Sequence, residues 1–313
     1  MQRRFTAASL VLLAGLSLSL IGCGKLNELK ARKSFKDANL LYTQQEYKRA
    51  ADKYKETVEF DPTFTTAYFY LANSYDQMFK ATKRGDAEND ACLTKAIDNY
   101  KVAAEKDQDP KMRKLALQYL VNAYGPDKLN DPGQAVPIIE KMIQMDPQDT
   151  NNYFALAKMY EDAGQYEEAE KHLSKAREVK PKDPAVYGQM AGFYNRQGEF
   201  DKTIEAYKRW QEIEPNNPEV YYTIGSFYWD KAYHDTKLKE SEKKDLVNSG
   251  IQEIDKALQI KPDYYEAVNR KGLLVRLQAG FTKDKAQYDQ LMKQADELLQ
   301  RSIALQKKKA AGV

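Results

Sequence analysis

The residue types that could carry out chemistry are few, and their spacing does not suit catalysis. The chain has only two histidines, His172 and His234, and neither lies at metal-ligand spacing from the other or from a cysteine. No glycine-rich phosphate loop and no nucleophile elbow occurs. The many carboxylates follow helix faces, where solvated ion pairs contribute little. The sequence therefore predicts no catalytic residue, no metal site and no cofactor.

The charge balance excludes one class of partner. Basic residues number 49 and acidic residues 46, a net charge of +3, and two of the basic residues, Arg3 and Arg4, lie in the apolar start of the chain. The rest of the chain is therefore close to neutral. A nucleic-acid surface needs an excess of Lys and Arg to neutralise phosphates, so we predict no nucleic-acid partner.

The two cysteines, Cys23 and Cys92, differ in their surroundings. A disulfide between them is possible on composition alone. Cys23, however, follows a short basic start and the uncharged segment Phe5–Gly22, which is the pattern of a secretory signal. An uncleaved membrane helix over this segment is the alternative. The segment is near the lower length limit for a span, and its Ser, Thr and Gly residues make it a poor one.

The residues Leu20-Ile21-Gly22-Cys23 resemble the lipobox of bacterial lipoproteins. The resemblance implies that residues 1–22 are a signal peptide, that the Cys23 thiol receives a diacylglycerol, and that its new amine is often acylated too, for example by palmitate. Two or more acyl chains anchor a protein stably where one does not. Cys92 is then left unpaired, and it is interpreted as a small packing residue. Gly24, in place of an aspartate, favours the periplasmic face of the outer membrane in a diderm bacterium.

The elements that follow repeat with a period of 34 residues. The clearest copy begins at Thr150 and the next at Pro184. Within the first of these, small residues at the eighth and twentieth positions (Ala157 and Ala169) predict that two helices approach closely, and Gly164 fits the turn between them. A proline near the end of several copies, such as Pro147 and Pro181, stops the second helix. Tyrosines at helix-core positions account for much of the content of 22 tyrosines and are interpreted as packing residues: Tyr68, Tyr75, Tyr124, Tyr153, Tyr160, Tyr187, Tyr194, Tyr221 and Tyr228.

This pattern resembles the tetratricopeptide repeat, and the resemblance covers nearly everything after Cys23. It implies an all-α, right-handed superhelical solenoid of about seven helix-turn-helix repeats over residues 31–309, with a tail at 310–313. Residues 23–30 would be the lipidated cysteine and a short tether, which would keep the repeats close to the bilayer. Ser34 and Asp37, at normally apolar positions of the first copy, and Lys271 in the seventh suit end caps that meet water.

Three copies carry insertions between their helices, near 76–94, 229–248 and 277–293. Their charge and helix-forming residues predict lengthened helices that turn at Arg84–Asp86, around Asp235–Lys239 and at Ala279-Gly280, with Ser241 and Thr282 as N-caps. They are either solvated decoration or a ridge for a partner. Pro137, inside a second helix, should kink or delay that helix.

A concave surface lined by the first helices is the expected binding site for proteins or extended peptides. Asparagine recurs at the ninth repeat position, where its amide can donate and accept, and aromatic residues recur at the fifth. These asparagines could equally be common repeat residues without a binding role. A clamp for a C-terminal carboxylate is not expected, because the neighbouring positions are aromatic or uncharged. The predicted groove residues are Asn39, Asn73, Asn122, Phe35, Phe69, Phe154, Tyr222 and Trp229.

Together these patterns favour a membrane-anchored scaffold that mediates protein–protein interactions, in the assembly of an envelope complex. The resemblance to lipoproteins with such repeats implies this function without identifying the partner. The alternative is a small-ligand binder or an enzyme that uses the inserted hairpins. That alternative predicts a deep pocket with converging titratable groups.

Overall fold

The computed structural model describes residues 8–311, with side chains from residue 24 onward. Every regular element in that range is helical, which confirms the predicted all-α class. A single 3₁₀ turn, Ala81–Lys83, accompanies the α-helices. The α-helices are α1 (Ala8–Thr43), α2 (Tyr47–Phe60), α3 (Thr65–Met78), α4 (Ala87–Lys106), α5 (Pro110–Ala123), α6 (Pro132–Met145), α7 (Thr150–Asp162), α8 (Tyr166–Val179), α9 (Pro184–Arg196), α10 (Phe200–Ile213), α11 (Pro218–His234), α12 (Glu240–Ile260), α13 (Tyr265–Ala279) and α14 (Lys285–Ala310).

The helices form two compact units, which divide between Asp162 and Ala163. In the first unit, each helix from α1 to α6 packs against the next helix along the chain, and α3 also packs against α5. In the second unit, α8 to α14 pack in the same successive manner, and α11 also contacts α13. Each unit is therefore a row of helical hairpins, as helix-turn-helix repeats require.

Small residues hold the paired helices together at the predicted positions. In the first hairpin these positions are Ala38 on α1 and Ala50 on α2, and both side chains are fully buried. The pair α11–α12 uses glycines: a methyl group on Gly225 would lie 3.1 Å from the backbone oxygen of Gly250 and 2.7 Å from the side chain of Ile254. The two backbones therefore approach too closely for a larger side chain.

The repeat ends are fixed by prolines and tyrosines together. Second helices end two residues before the repeat proline, as at Met145 before Pro147. The tyrosine at the fourth position of the next copy then donates from its hydroxyl group to that proline's carbonyl oxygen, from Tyr153 to Pro147 at 3.1 Å. The same bond recurs from Tyr187 to Pro181 (2.8 Å) and from Tyr221 to Pro215 (2.9 Å).

The predicted turns and packing tyrosines are found in the structure. Gly164, in the turn before α8, and Gly198, in the turn before α10, adopt positive φ angles of 73° and 74°, which only glycine adopts without strain. Five of the predicted packing tyrosines are buried, and the other four are half-buried: Tyr124, Tyr153, Tyr187, Tyr194 and Tyr221 in the first group, and Tyr68, Tyr75, Tyr160 and Tyr228 in the second. The tyrosine content is thus largely a packing feature.

The start of the array is helical, and one of its two expected end-cap residues is buried. Residues 24–30 are helical and continue without a break into the first repeat helix α1. Ser34 is buried rather than solvated and donates a hydrogen bond to Glu56 at 3.1 Å. Asp37 is exposed, as predicted. The side chain of Cys23 lies outside the described residues.

The insertions lengthen the helices unevenly. In the first, α3 keeps 14 residues while α4 grows to 20, so only the second helix is extended. In the second, α11 and α12 have 17 and 21 residues, and both are extended. In the third, α14 has 26 residues but α13 only 15. The turn at Gly85 is present, with a φ angle of 95°.

Two predicted helix caps are wrong. Helix α14 is capped by Asp284, which accepts a hydrogen bond from the backbone of Gln287 at 2.7 Å, because Asp284 directly precedes the helix whereas Thr282 lies two residues earlier. Ser241 lies inside the first turn of α12, and the Glu242 side chain instead accepts a bond from the backbone of Lys239 at 2.7 Å.

Pro137 does not delay its helix. Helix α6 begins at Pro132, whose missing backbone N–H costs nothing at the first helical position, and it is capped by Asp131. The helix then continues through Pro137 to Met145. Because Pro137 is near the helix start, the carbonyl that it leaves without a partner belongs to the first turn.

We predict that Gly225→Ala lowers the free energy of unfolding by about 2 kcal/mol, because the new methyl group would overlap the buried Ile254 side chain. Urea denaturation followed by circular dichroism measures the change. Gly192→Ala is the matched control inside α9: its nearest neighbour is the flexible end of Arg196, at 3.3 Å. There stability should be unchanged or rise by up to about 1 kcal/mol. Equal destabilisation of both variants would contradict the close-approach argument.

Candidate protein-interaction surfaces

The first unit carries an aromatic cluster on its first helices. The ring of Tyr70, on α3, lies 5.9 Å from that of Phe35 on α1 and stacks on that of Tyr54 on α2, with the centroids 5.7 Å apart. The neighbouring Phe69 contacts the rings of Tyr100 at 5.6 Å and Tyr119 at 5.3 Å. The ring of Tyr42 also contacts that of Tyr70. We call these seven rings, together with the amides of Asn39 and Asn73, the aromatic–amide cluster.

Two of the predicted groove asparagines bind tyrosine hydroxyls within this cluster. Asn73 accepts a hydrogen bond from Tyr42 and donates one to Tyr100 at 3.2 Å. Asn39 accepts one from Tyr54 at 2.7 Å. Burial raises the pKa of both Tyr54 and Tyr100 well above the ordinary tyrosine value, which favours neutral hydroxyl groups at both residues. The Tyr54 hydroxyl donates to Asn39, and the Tyr100 hydroxyl accepts from Asn73. The amides therefore satisfy hydroxyls that would otherwise be buried without a partner.

The three predicted asparagines differ in their exposure to solvent. Asn73 is only 4 % exposed, and Asn39 is half-buried. Asn122, at the end of α5, is exposed. Peptide binding by this set stays a prediction, and of the three Asn122 has the side chain most accessible to a partner. Among the aromatic members, Phe69 is buried, while Phe35 and Phe154 are half-buried.

A charged pair borders the aromatic–amide cluster. Asp76, on α3, is 9 % exposed and binds the Lys128 ammonium group at 2.5 Å. Lys128 lies in the turn between α5 and α6, so the pair joins two consecutive repeats. Neither residue stands out in the sequence, because a lone carboxylate and a lysine 52 positions apart give no local signal.

The second unit carries an exposed aromatic platform at the end of α11. The rings of Trp229 and Tyr233 stack with an interplanar angle of 10° and a centroid distance of 5.0 Å. The Arg270 guanidinium lies 4.4 Å from the centroid of the Trp229 ring on α11. Tyr233 is 58 % exposed. Trp229, Tyr233 and Arg270 are called the aromatic platform. The sequence identified only Trp229, although a Tyr four residues later on a helix would have predicted the stack.

Tyr222, the remaining predicted groove residue, does not belong to the platform. Its ring packs against that of Tyr264 at 5.1 Å, and the Tyr264 hydroxyl donates to Glu219. Burial and this acceptor raise the pKa of Tyr264. His234, which neighbours the platform, lies with a ring nitrogen 3.1 Å from the Asp230 carboxylate.

An open cleft of about 600 Å³ lies where the second insertion meets the turn between α9 and α10. Phe200 and Leu246 provide apolar surface, and Lys231 lies at its edge. Four carboxylates line this acidic cleft, and all four residues are exposed: Glu199, Asp201, Glu242 and Asp245. Its chemistry suits a cationic group of a partner, held at an open surface.

Further chemistry is limited within the described part of the chain. No group of three or more His, Cys, Asp or Glu side chains is arranged to hold a metal ion there. Burial raises the pKa of the Cys92 thiol, so the nucleophilic thiolate is disfavoured. Between residues 8 and 311, no helix combines the length and apolar character of a membrane crossing.

Hairpins of helices in a row, with exposed aromatic and amide side chains, define a helical-repeat protein. Two family models match the chain: one described as tetratricopeptide repeat over residues 128–193, and one described as Tetratricopeptide Repeats-Sensor over residues 165–275. Residues 128–275 of the chain therefore match tetratricopeptide repeats. No curated protein matches it.

Solved structures that resemble this chain include two such repeat proteins. The C-terminal part of a TPR repeat-containing protein from Cytophaga hutchinsonii is 16 % identical, with a TM-score of 0.56, over 87 % of this chain and 98 % of that one. A tetratricopeptide repeat protein from Parabacteroides merdae is 13 % identical, with a TM-score of 0.46, over 88 % and 99 %. At 16 % identity, the likeness to the Cytophaga protein shows the fold alone. Proteins of this fold are generally non-enzymatic scaffolds that bind other proteins or peptides.

We predict that Asn73→Ala lowers the free energy of unfolding by about 2 kcal/mol, because the hydroxyls of Tyr42 and Tyr100 lose their partner in or near the core. Asn122→Ala is the control on the same face, and its exposed site should give a change within about 0.5 kcal/mol. Urea denaturation measures both. A neutral Asn73→Ala would remove the structural role assigned to this amide.

Proposed function

We propose that the chain is a membrane-anchored scaffold that holds other proteins or extended peptides during assembly of an envelope complex. The aromatic platform is the observation that carries the binding part of this proposal. Trp, Tyr and Arg are the residues most enriched among those that dominate binding free energy. Tyr233 leaves more than half of its surface open, beside a tryptophan already ordered by Arg270. An ordered aromatic surface loses little side-chain entropy when a partner binds.

The first unit supports a second contact area. Tyr42, Tyr70 and Tyr119 are half-buried, so their rings are fixed by packing while part of each remains open. Asn122 adds an exposed amide on the same row of first helices. A rigid aromatic surface with an adaptable amide suits an extended peptide, whose backbone donates and accepts hydrogen bonds.

The acidic cleft extends the same function in the second unit. Its carboxylates are exposed, so a lysine or arginine of a partner could bind without a large desolvation cost. This geometry favours a protein contact over the enclosed pocket that the alternative of a small-ligand binder or enzyme requires.

The anchor rests on the lipobox resemblance at Cys23. The helical residues 24–30 support a short, stiff connection, because seven helical residues rise only about 10 Å. A repeat array held so near the bilayer suits an assembly factor for a membrane complex. We propose that this bilayer is the outer membrane, with the repeats in the periplasm.

Tyr233→Ala tests the platform. The chain, solubilised from membranes, captures crosslinked partners that are quantified by mass spectrometry. We expect the yield to fall by about thirtyfold, the effect of losing one dominant aromatic contact. Tyr166→Ala, on α8, removes a similarly exposed tyrosine (49 %) outside the platform and should leave the yield unchanged. Equal capture by wild type, Tyr233→Ala and Asn122→Ala would sink the proposed binding surfaces.

Metabolic labelling with palmitate tests the anchor separately. The wild-type chain should carry the label and sediment with membranes, because its acyl chains are buried in the bilayer. Cys23→Ser should lose the label, whereas Cys92→Ser should keep it, since Cys92 is buried within the first unit. An unlabelled wild-type chain would overturn the anchoring proposal while leaving the binding surfaces untouched.

A further inference from the structure

One face of α1 exposes large apolar side chains. Ala31, Ser34 and Ala38 are buried on the side that meets the repeat core. Leu26 and Leu29 lie on the opposite side, and they are 52 % and 65 % exposed. Leu40 continues the same row further along the helix and is 58 % exposed. Residues 26, 29 and 40 fall within a narrow arc at 100° per residue, so these leucines form one apolar stripe.

Lysines flank this stripe. Lys25, Lys33 and Lys36 are exposed, and the helical spacing places them on the same side as the leucines. Lys30 lies at the edge toward α2, over the Phe60 ring at 5.4 Å. Asp37 is the acidic residue on this face, and Glu28, which pairs with Arg32, lies away from it. The leucine stripe with Lys25, Lys33 and Lys36 is called the basic apolar face.

The charge of this segment differs from that of the whole chain. Residues 24–36 contain five basic residues and a single acidic residue, a net charge of +4, whereas all 313 residues sum to +3. The positive charge is therefore concentrated in the helical segment that follows Cys23. The same segment thus combines three exposed leucines with a local positive charge.

We propose that the basic apolar face of α1 lies on an anionic phospholipid bilayer. An apolar stripe bordered by lysines is the arrangement by which helices bind membrane interfaces: leucines enter the acyl boundary, and lysines attract anionic headgroups. Charge complementarity favours this partner over a second copy of the chain, whose same face would repel it. The proposal adds to the proposed anchor but does not require acylation, because residues 24–40 carry the contact themselves.

Such a contact fixes orientation as well as location. A lipid anchor alone lets the repeats rotate about the attachment point. If α1 lies along the bilayer surface, the side of α1 that packs against α2 points away from the membrane. The aromatic–amide cluster on that side then stays accessible to a partner.

Acetylation footprinting of lysines tests the contact in the full chain. The protein is reconstituted into vesicles of phosphatidylcholine, with or without phosphatidylglycerol as a third of the lipid, and treated with a lysine-acetylating reagent. We expect Lys25, Lys33 and Lys36 to react about fivefold more slowly in the anionic vesicles, the effect of the surface attraction on each lysine. High salt should remove the protection. Lys307 and Lys308, exposed at the end of α14, are internal controls and should react equally in both.

Leu26→Glu with Leu29→Glu should abolish the protection while circular dichroism stays unchanged, because both side chains are exposed. Equal reactivity of the three lysines in both vesicle types would overturn the proposal. So would protection without vesicles that grows with protein concentration, since a second copy would then cover the face. Neither result bears on the palmitate label, so failure of this contact and failure of the anchor are distinguishable.

Discussion

Close approach of paired helices is the constraint on which the rest of the structure depends. The eighth and twentieth repeat positions are alanine, glycine or threonine in nearly every copy. Helices within one unit pack through these positions, as at the fully buried Ala38 and Ala50. At Gly225 and Gly250 there is no room for a methyl group. A hairpin that packs this tightly has a fixed geometry, so each following repeat must stack on it in the same way.

Tyrosines transmit that geometry from one repeat to the next. The hydroxyl at the fourth position reaches the carbonyl of the preceding repeat proline in three copies. In the first unit the amides of Asn39 and Asn73 bind the hydroxyls of Tyr54 and Tyr42. The hydroxyl groups of these tyrosines thus join helices through directional hydrogen bonds, whereas contacts between the apolar rings alone would allow several arrangements of the helices.

The same residues also limit where a partner can bind. Phe69 and Asn73 lie on a first helix, but both are buried. The Asn73 amide is already hydrogen-bonded to Tyr100. Open surface remains at the aromatic platform, where the rings are ordered but still exposed, and at the acidic cleft, which the second insertion helps to line. The insertions therefore contribute surface chemistry that the regular repeat does not contain.

The sequence by itself determined the repeat period, the all-α class, the turns at Gly164 and Gly198, and the helix ends before the repeat prolines. These features depend on local backbone preferences and on the spacing of apolar residues, which the sequence contains directly. Its cap predictions at Ser241 and Thr282 were wrong, because the residue that begins a helix depends on where the preceding turn ends. Only the tertiary structure decided that Asn73 is buried while Asn122 is exposed, that Arg270 covers Trp229, and that residues 24–30 continue α1. Such facts depend on which side chains a neighbouring helix covers, and residues dozens of positions away supply that cover.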